Sequence, residues 1–159
     1  MKDSVSDVAK LPASEKASSV PFFRPHIGDE EINEVVATLK SGWLTTGPQV
    51  KEFEQQFAET VNARFAIAVN SCTAALHLAV EAIGLKEGDA VLVPTMTFAA
   101  TAEIILYKNA VPILVDCDPL TGNMDLADAE IKIEKTRLGQ LSFQQGRGLK
   151  VVGIIPVHV

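Results

Sequence analysis

The amino-acid sequence predicts an α/β domain built on a mostly parallel sheet with flanking helices. Two features of the chain predict this fold class. Beyond residue 64, short apolar runs alternate with stretches of helical periodicity, and runs such as residues 90–93 and 111–115 are continuous. A continuous apolar run indicates a strand covered on both faces, and alternating strands and helices favour parallel connections. The chain of 159 residues is long enough to bury a substantial core.

Composition and charge argue against several classes of function. Lys and Arg total 14 against 20 Asp and Glu, a formal net charge of −6, whereas nucleic acids and anionic membranes attract basic surfaces. No apolar run reaches the roughly 18 residues of a membrane-spanning helix, and the amino terminus lacks the apolar stretch of a secretory signal. The two cysteines fit a reducing compartment. We therefore expect a cytoplasmic protein without nucleic-acid or membrane partners.

Two helices are predicted before the α/β pattern begins. Residues 1–20 show no apolar period and predict a flexible tail. Asp29 is a candidate cap for the first helix, and Gly42 is its expected stop. The apolar stripe of that helix consists of Ile32, Val35, Val36 and Leu39. The second helix is expected to begin near Pro48, because proline is favoured in a first helical turn.

The rest of the chain is predicted to alternate strands with helices. The strands are expected at residues 65–69, 90–93, 111–115 and 151–159. The helices are expected at residues 73–83, 98–107 and, with a weaker pattern, 126–133. A polar stretch at residues 134–148 precedes the last strand. Because the pattern stops directly after a strand, we expect the fold to continue beyond Val159 and that strand to lie at an open edge.

Ligands of open α/β sheets bind outside the carboxyl ends of the strands, which directs attention to the segment after residues 65–69. There Ser71, Cys72 and Thr73 lead into a predicted helix. The backbone N–H groups of a helix start, with hydroxyls beside them and Ala74 leaving room, predict a site for an anion such as a phosphate. The alternative is that Ser71 simply caps the helix. The glycine-rich fingerprints of dinucleotide and P-loop sites are absent from the sequence.

Other residues near strand ends leave two interpretations open. Phe98 either stacks on a flat ligand ring or packs in the core. Asp116 and Asp118 either bind a metal or a nucleotide-sugar diphosphate, or cap a proline-containing turn. Cys72, at a predicted helix start, is either a nucleophile or a small packing residue. His158, at a strand end, is either a site residue or makes a structural hydrogen bond.

Six segments together resemble the sugar aminotransferases of the DegT/DnrJ/EryC1/StrS family, which are pyridoxal-phosphate enzymes of fold type I. The segments FFRP, SGWLTTGP, NSCTAALH, VPTMTF, VDCDP and IPVH stand at residues 22–25, 41–48, 70–77, 93–98, 115–119 and 155–158. They span residues 21–159 in family-like order and spacing. One departure is Cys72, where the family commonly has Gly or Ser. The resemblance implies that residues 21–159 are the amino-terminal part of an incomplete fold-type-I large domain.

The resemblance also implies a role for each candidate residue. The phosphate of the cofactor is expected at the helix start, and its pyridine ring against an aromatic side chain. The expected cofactor-binding residues are Ser71, Cys72, Thr73, Ala74 and Phe98. The loop at residues 43–47 and the end of the last strand are expected near the substrate pocket. The expected substrate-binding residues are Trp43, Thr45, Thr46 and His158.

The activity that the resemblance implies is transfer of an amino group, usually from glutamate, to a keto-sugar attached to a nucleotide. Such reactions serve cell-surface polysaccharide or amino-sugar biosynthesis, and the enzyme is expected to be a homodimer. The family's Schiff-base lysine and the Asp that pairs with the pyridine nitrogen belong to motifs that this sequence does not contain. The 159 residues alone are therefore expected to be catalytically incomplete.

The sequence leaves two alternatives to the aminotransferase function open. One is a non-catalytic module that binds a phosphorylated ligand, or half of a split protein. The other is a metal-dependent nucleotide-sugar transferase built on Asp116 and Asp118. Neither alternative uses the whole set of segments that carries the resemblance.

The isolated chain is predicted to be poorly soluble or oligomeric, because an open strand edge and uncovered sheet faces favour association. Dynamic light scattering of the purified 159-residue chain checks this. A dispersed monomer would contradict it.

Overall fold

The computed structural model describes residues 23–144 and 148–159. They belong to two compact units, of which one ends at Arg64 and the other is Phe65–Val159. The predicted flexible tail, residues 1–20, lies outside the described residues. Of the helices in the described part, none combines the length and the hydrophobicity needed to cross a bilayer.

The first unit contains the two predicted helices. Helix α1 is Asp29–Ser41 and helix α2 is Pro48–Thr60. The predicted cap at Asp29 is wrong by one residue, since the cap position is Gly28. Its backbone N–H donates to the Glu31 carboxylate at 2.6 Å, which satisfies a donor at the helix entrance and lowers the pKa of that carboxyl. Gly42 ends α1 with φ at 73°, a conformation that favours glycine.

The second unit confirms the predicted fold class, because three parallel strands carry helices beside them. The strands are β1 (Asp89–Pro94), β2 (Val111–Val115) and β3 (Lys150–Ile154). The helices are α3 (Cys72–Ala82), α4 (Ala100–Leu106) and α5 (Leu126–Arg137). The strand order is β2-β1-β3, so β1 is central and β3 lies at an edge of the described sheet, as expected.

Strand β1 has apolar neighbours on both faces. On one face, Val91 and Val93 belong to a buried cluster with Val80, Ile104 and Ile105 of α3 and α4. On the other face, a second buried cluster joins β1, β2 and α5. Its members are Ala90, Leu92, Ile113, Val115, Met124 and Ala129. A strand with helices over both faces needs apolar side chains in both directions, which explains the continuous apolar run.

The strand predicted at residues 65–69 is wrong, because this segment joins none of the three described strands. Phe65 and Ile67 are 81% and 80% exposed. An apolar run predicts burial, but a strand also needs a neighbouring backbone to pair with. Strand β1 is already paired with β2 and β3, and this segment does not extend the described sheet at the free side of either.

Strand β3 is shorter than the sequence predicts, and helix α5 before it is longer. Strand β3 ends at Ile154 rather than at residue 159, and only the Ile155 N–H continues the pairing, by donating to the Leu92 carbonyl at 2.9 Å. Pro156 follows, and proline has no N–H to donate. Helix α5 instead extends beyond residue 133 to Arg137.

Part of the predicted polar stretch folds back onto α5. Gln144 is only 1% exposed. Its Nε2 donates to the Thr136 carbonyl at 3.0 Å, and its Oε1 accepts from the Leu141 N–H at 3.1 Å. The buried amide therefore has partners at both ends, as a buried polar group requires.

Replacing Leu92 by Ala should lower the free energy of unfolding by about 2–5 kcal/mol, because it opens a cavity in the fully buried central strand. Urea denaturation followed by circular dichroism measures the change. Leu120→Ala is the matched control, since Leu120 is 93% exposed and its removal should change stability little. Equal losses in both variants would contradict the central position of β1.

Candidate functional site

The amino ends of α3 and α4 lie on the same side of the second unit. Lys108 Nζ lies 2.7 Å from Glu81 Oε1, and the rings of His77 and Tyr107 meet edge to face with centroids 5.4 Å apart. The later parts of the two helices are therefore side by side, so the helices run in the same direction. Because α4 follows β1 after a short loop, both amino ends face the carboxyl edge of the sheet.

The start of α3 supports both interpretations of Ser71. Its Oγ accepts from the Ala74 N–H at 3.1 Å, which is the expected cap. Within the described residues, the N–H groups of Cys72 and Thr73 and the Thr73 hydroxyl have no hydrogen-bond partner. The cap therefore leaves two backbone donors and one hydroxyl at the positive end of the helix dipole.

Phe98 lies at the same edge, and the interpretation as a core residue is wrong. Its side chain is 80% exposed. The backbone that carries it is nevertheless anchored to α4. The Phe98 carbonyl accepts from the Thr101 N–H at 3.0 Å, and the hydroxyls of Thr97 and Thr101 are 2.7 Å apart. An exposed aromatic face on a held backbone can stack on a planar ring.

The loops after β1 and β2 are joined at this edge. The Thr95 N–H donates to the Val115 carbonyl at 2.9 Å, directly after the last paired residues of the two strands. Beyond it, the Cys117 sulfur accepts from the Met96 N–H at 3.4 Å and lies 3.5 Å from Thr95 Oγ1. Cys117 was not among the sequence candidates.

The structure favours the turn interpretation of the two aspartates. Asp118 Oδ1 accepts from the N–H groups of Leu120 and Thr121 at 2.9 and 2.8 Å and from the Thr121 hydroxyl at 3.1 Å. These bonds, led by that from the Thr121 N–H, lower the pKa of the Asp118 carboxyl. Asp116 Oδ1 accepts from the Cys117 N–H at 2.9 Å. Across residues 23–144 and 148–159, no group of three or more His, Cys, Asp or Glu side chains could hold a metal ion.

His158 is exposed in the segment that follows β3. The next residue, Val159, donates its N–H to the Asn123 side-chain oxygen at 3.2 Å. That bond ties the segment to the loop between β2 and α5. His158 therefore lies four residues beyond the end of β3, whereas the sequence predicts it at the end of the strand itself.

The loop with the other predicted substrate residues belongs to the first unit. The Trp43 indole N–H donates to the Thr46 carbonyl at 3.1 Å. A Cβ on Gly47 would lie 2.1 Å from Trp43 Cδ1, so only glycine allows the ring to lie there. Trp43 and Thr45 line a cleft of about 670 Å³ with the neighbouring ends of α1 and α2, and Thr46 orients the indole instead.

The predicted site residues thus fall into two sets. The carboxyl edge of the second unit collects the starts of α3 and α4 and the end of β3, with Ser71, Cys72, Thr73, Ala74, Phe98 and His158. The first unit holds Trp43, Thr45 and Thr46. Cys117 could not be found from the sequence, because its contacts depend on the register of β1 against β2.

The DegT/DnrJ/EryC1/StrS aminotransferase family model matches residues 25–159. The uncharacterized protein MJ1066 of Methanocaldococcus jannaschii is 42% identical over 90% of this chain and 33% of its own length. The spore coat polysaccharide biosynthesis protein SpsC of Bacillus subtilis is 47% identical over 72% of this chain and 29% of its own length. The chain therefore spans about a third of the length of these curated relatives.

Solved structures of sugar aminotransferases are also similar to this chain, again over about a third of their own length. The putative sugar aminotransferase Spr1654 of Streptococcus pneumoniae, in its PMP form, is 36% identical with a TM-score of 0.70, over 86% of this chain and 31% of that one. Its PLP form is 40% identical with a TM-score of 0.66, over 72% of this chain and 29% of that one.

The lowered pKa of Asp118 predicts a pH-dependent contribution to stability. A depressed carboxyl pKa stabilises the folded state above the ordinary value of 3.8 and loses that effect as the pH falls through the folded value. Asp118→Asn cannot titrate. The stability advantage of the wild type over this variant should be constant near neutral pH and shrink below about pH 4. Urea midpoints across this range measure it, and a pH-independent difference would refute the assignment.

Proposed function

Because the chain belongs to the DegT/DnrJ/EryC1/StrS aminotransferase family, we propose that it is the part of a pyridoxal-phosphate-dependent sugar aminotransferase that holds the cofactor phosphate and one ring face. The observation that carries the proposal is the pairing of an open helix start with an exposed aromatic ring at one edge of the sheet. Cys72 and Thr73 supply the donors, and Phe98 supplies the ring.

The donors present fit a phosphate. A phosphate monoester carries close to two negative charges at neutral pH and offers several acceptor oxygens. The N–H groups of Cys72 and Thr73, the Thr73 hydroxyl and the α3 dipole match it in sign and in hydrogen-bonding type. The hydrogen bond from the Ala74 N–H to Ser71 Oγ shapes this turn. The short side chains of both residues let an anion approach closely.

Phe98 is proposed to lie against the pyridine ring. Its exposure leaves a face available, and the anchored backbone limits the entropy lost when a ligand stacks on it. When bound, pyridoxal phosphate supplies the electron sink that amino-group transfer requires. The protein side of the reaction is to bind and orient that group and to exclude competing reactions.

The proposed substrates are a nucleotide-linked keto-sugar and an amino-acid donor, glutamate being the expected one. Two relatives support the sugar: one is a spore coat polysaccharide biosynthesis protein, and the other is a putative sugar aminotransferase. Trp43, Thr45, Thr46 and His158 are proposed to serve this substrate. An indole face and hydroxyl groups suit the apolar and polar sides of a sugar.

We further propose that these 159 residues are inactive alone and that the active protein is a homodimer. None of the lysines near β3 stands in the motif expected of a Schiff-base lysine. The match to only about a third of each curated relative supports the same view.

Cys72→Pro should weaken binding of pyridoxamine 5′-phosphate to the chain by about tenfold, because it removes one open N–H. Proline is tolerated at the first helical position, and Cys72 opens α3. Isothermal titration calorimetry measures the affinity. This probe has no aldehyde and so cannot react with surface lysines, and pyridoxamine without phosphate should bind much more weakly.

The matched control is Leu126→Pro, which places proline at the first position of α5. It should leave the affinity unchanged. The double variant Thr73→Val with Phe98→Ala should lose most of the binding, since it removes the hydroxyl and the ring face. Equal affinities of the wild type for the two probes would contradict the proposed phosphate site.

A further inference from the structure

The geometry points to Cys117 as a positioning residue for the cofactor ring. We infer that its sulfur fastens the loop after β1, which carries Phe98, to the loop after β2, and so holds the aromatic face in place. This inference rests on the proposed function. It assigns Cys117 no contact with the cofactor and no chemistry of its own.

The sulfur extends the connection between the two strands beyond the end of their pairing. Backbone pairing stops at Pro94 against Val115, and the Thr95 N–H adds one more bond to the Val115 carbonyl. The next donor along the chain, the Met96 N–H, has no backbone partner and donates to Cys117 Sγ at 3.4 Å instead. A second contact, at 3.5 Å, joins the same sulfur to Thr95 Oγ1.

Cys117 is itself held firmly enough to serve as an anchor. It forms an isolated antiparallel bridge with Met124, which is buried in the cluster beneath α5. Its own N–H donates to Asp116 Oδ1 at 2.9 Å. The residue is half-buried, and its sulfur contacts both Thr95 and Met96 of the loop after β1.

Phe98 depends on such backbone anchors because its exposed ring gains little from packing. The Phe98 carbonyl accepts from the Thr101 N–H at 3.0 Å, and on the amino side of Phe98 the Thr97 hydroxyl meets the Thr101 hydroxyl at 2.7 Å, so α4 holds residues 97 and 98. Further toward the amino end, the contacts of Met96 and Thr95 with Cys117 Sγ hold the backbone that leads into Thr97. Loss of the sulfur acceptor would remove the bond of the Met96 N–H, two residues before Phe98, and loosen the backbone between Thr95 and Thr97.

The test compares Cys117→Ala, which cannot accept the Met96 N–H, with Cys117→Ser, whose oxygen can. Calorimetric titration of the whole chain with pyridoxamine 5′-phosphate should give about 2- to 10-fold weaker binding for Cys117→Ala and near wild-type binding for Cys117→Ser. Binding of inorganic phosphate should be unchanged in both, since phosphate does not use the ring face. Amide hydrogen exchange at Met96 should quicken in Cys117→Ala and slow again in Cys117→Ser.

Asp89→Ala is the matched control, because Asp89 Oδ2 accepts the Lys86 N–H at 3.1 Å at the other end of β1. It removes an acceptor of a backbone N–H without touching the site and should leave the affinity unchanged. If the wild type binds the probe and Cys117→Ala binds it equally well, the positioning role is overturned and the proposed function stands. If the wild type binds pyridoxamine 5′-phosphate no better than pyridoxamine, the proposed function fails, and the cofactor role of Cys117 fails with it.

Discussion

Burial of strand β1 on both faces is the constraint on which the rest of the second unit depends. Val91 and Val93 require the cover of α3 and α4, while Ala90 and Leu92 require that of β2 and α5. Since β1 also pairs with β2 and with β3, every direction around it is occupied by backbone or side chains. This packing, rather than the conformational preferences of the loop residues, determines where the loops at the carboxyl end of β1 lie.

Those loops carry the features that the core does not need. The open N–H groups at the start of α3 and the exposed ring of Phe98 add little to folding stability, since each leaves a polar or apolar group facing solvent. They lie where parallel sheets place ligands. Groups that are costly for the fold and held by a rigid element are the usual mark of a binding site.

Local signals in the sequence were sufficient for the presence of the helices, for strands β1 and β2, and for the start of α3. They failed where an outcome depends on a distant neighbour. Residues 65–69 have a strand-like composition but join none of the described strands. The composition of such a run does not show whether another strand lies beside it. Gln144 looks like a solvated polar residue, yet it is buried against α5. The sulfur of Cys117 finds its donors only through the register of two strands. The sequence left open whether Phe98 stacks on a ligand or packs in the core, because composition does not show which way an aromatic ring faces.

The bond from Gln144 to the Thr136 carbonyl has a consequence for the evolution of this region. It spans eight residues and gives the Thr136 carbonyl a second donor beside the Gly139 N–H, which lies 3.2 Å away. The connection therefore behaves as a loop of set length. An insertion or deletion between these two positions would pull the amide from its acceptor, whereas length changes after Gln144 would spare it. Natural variation in loop length should accumulate on the far side of this glutamine.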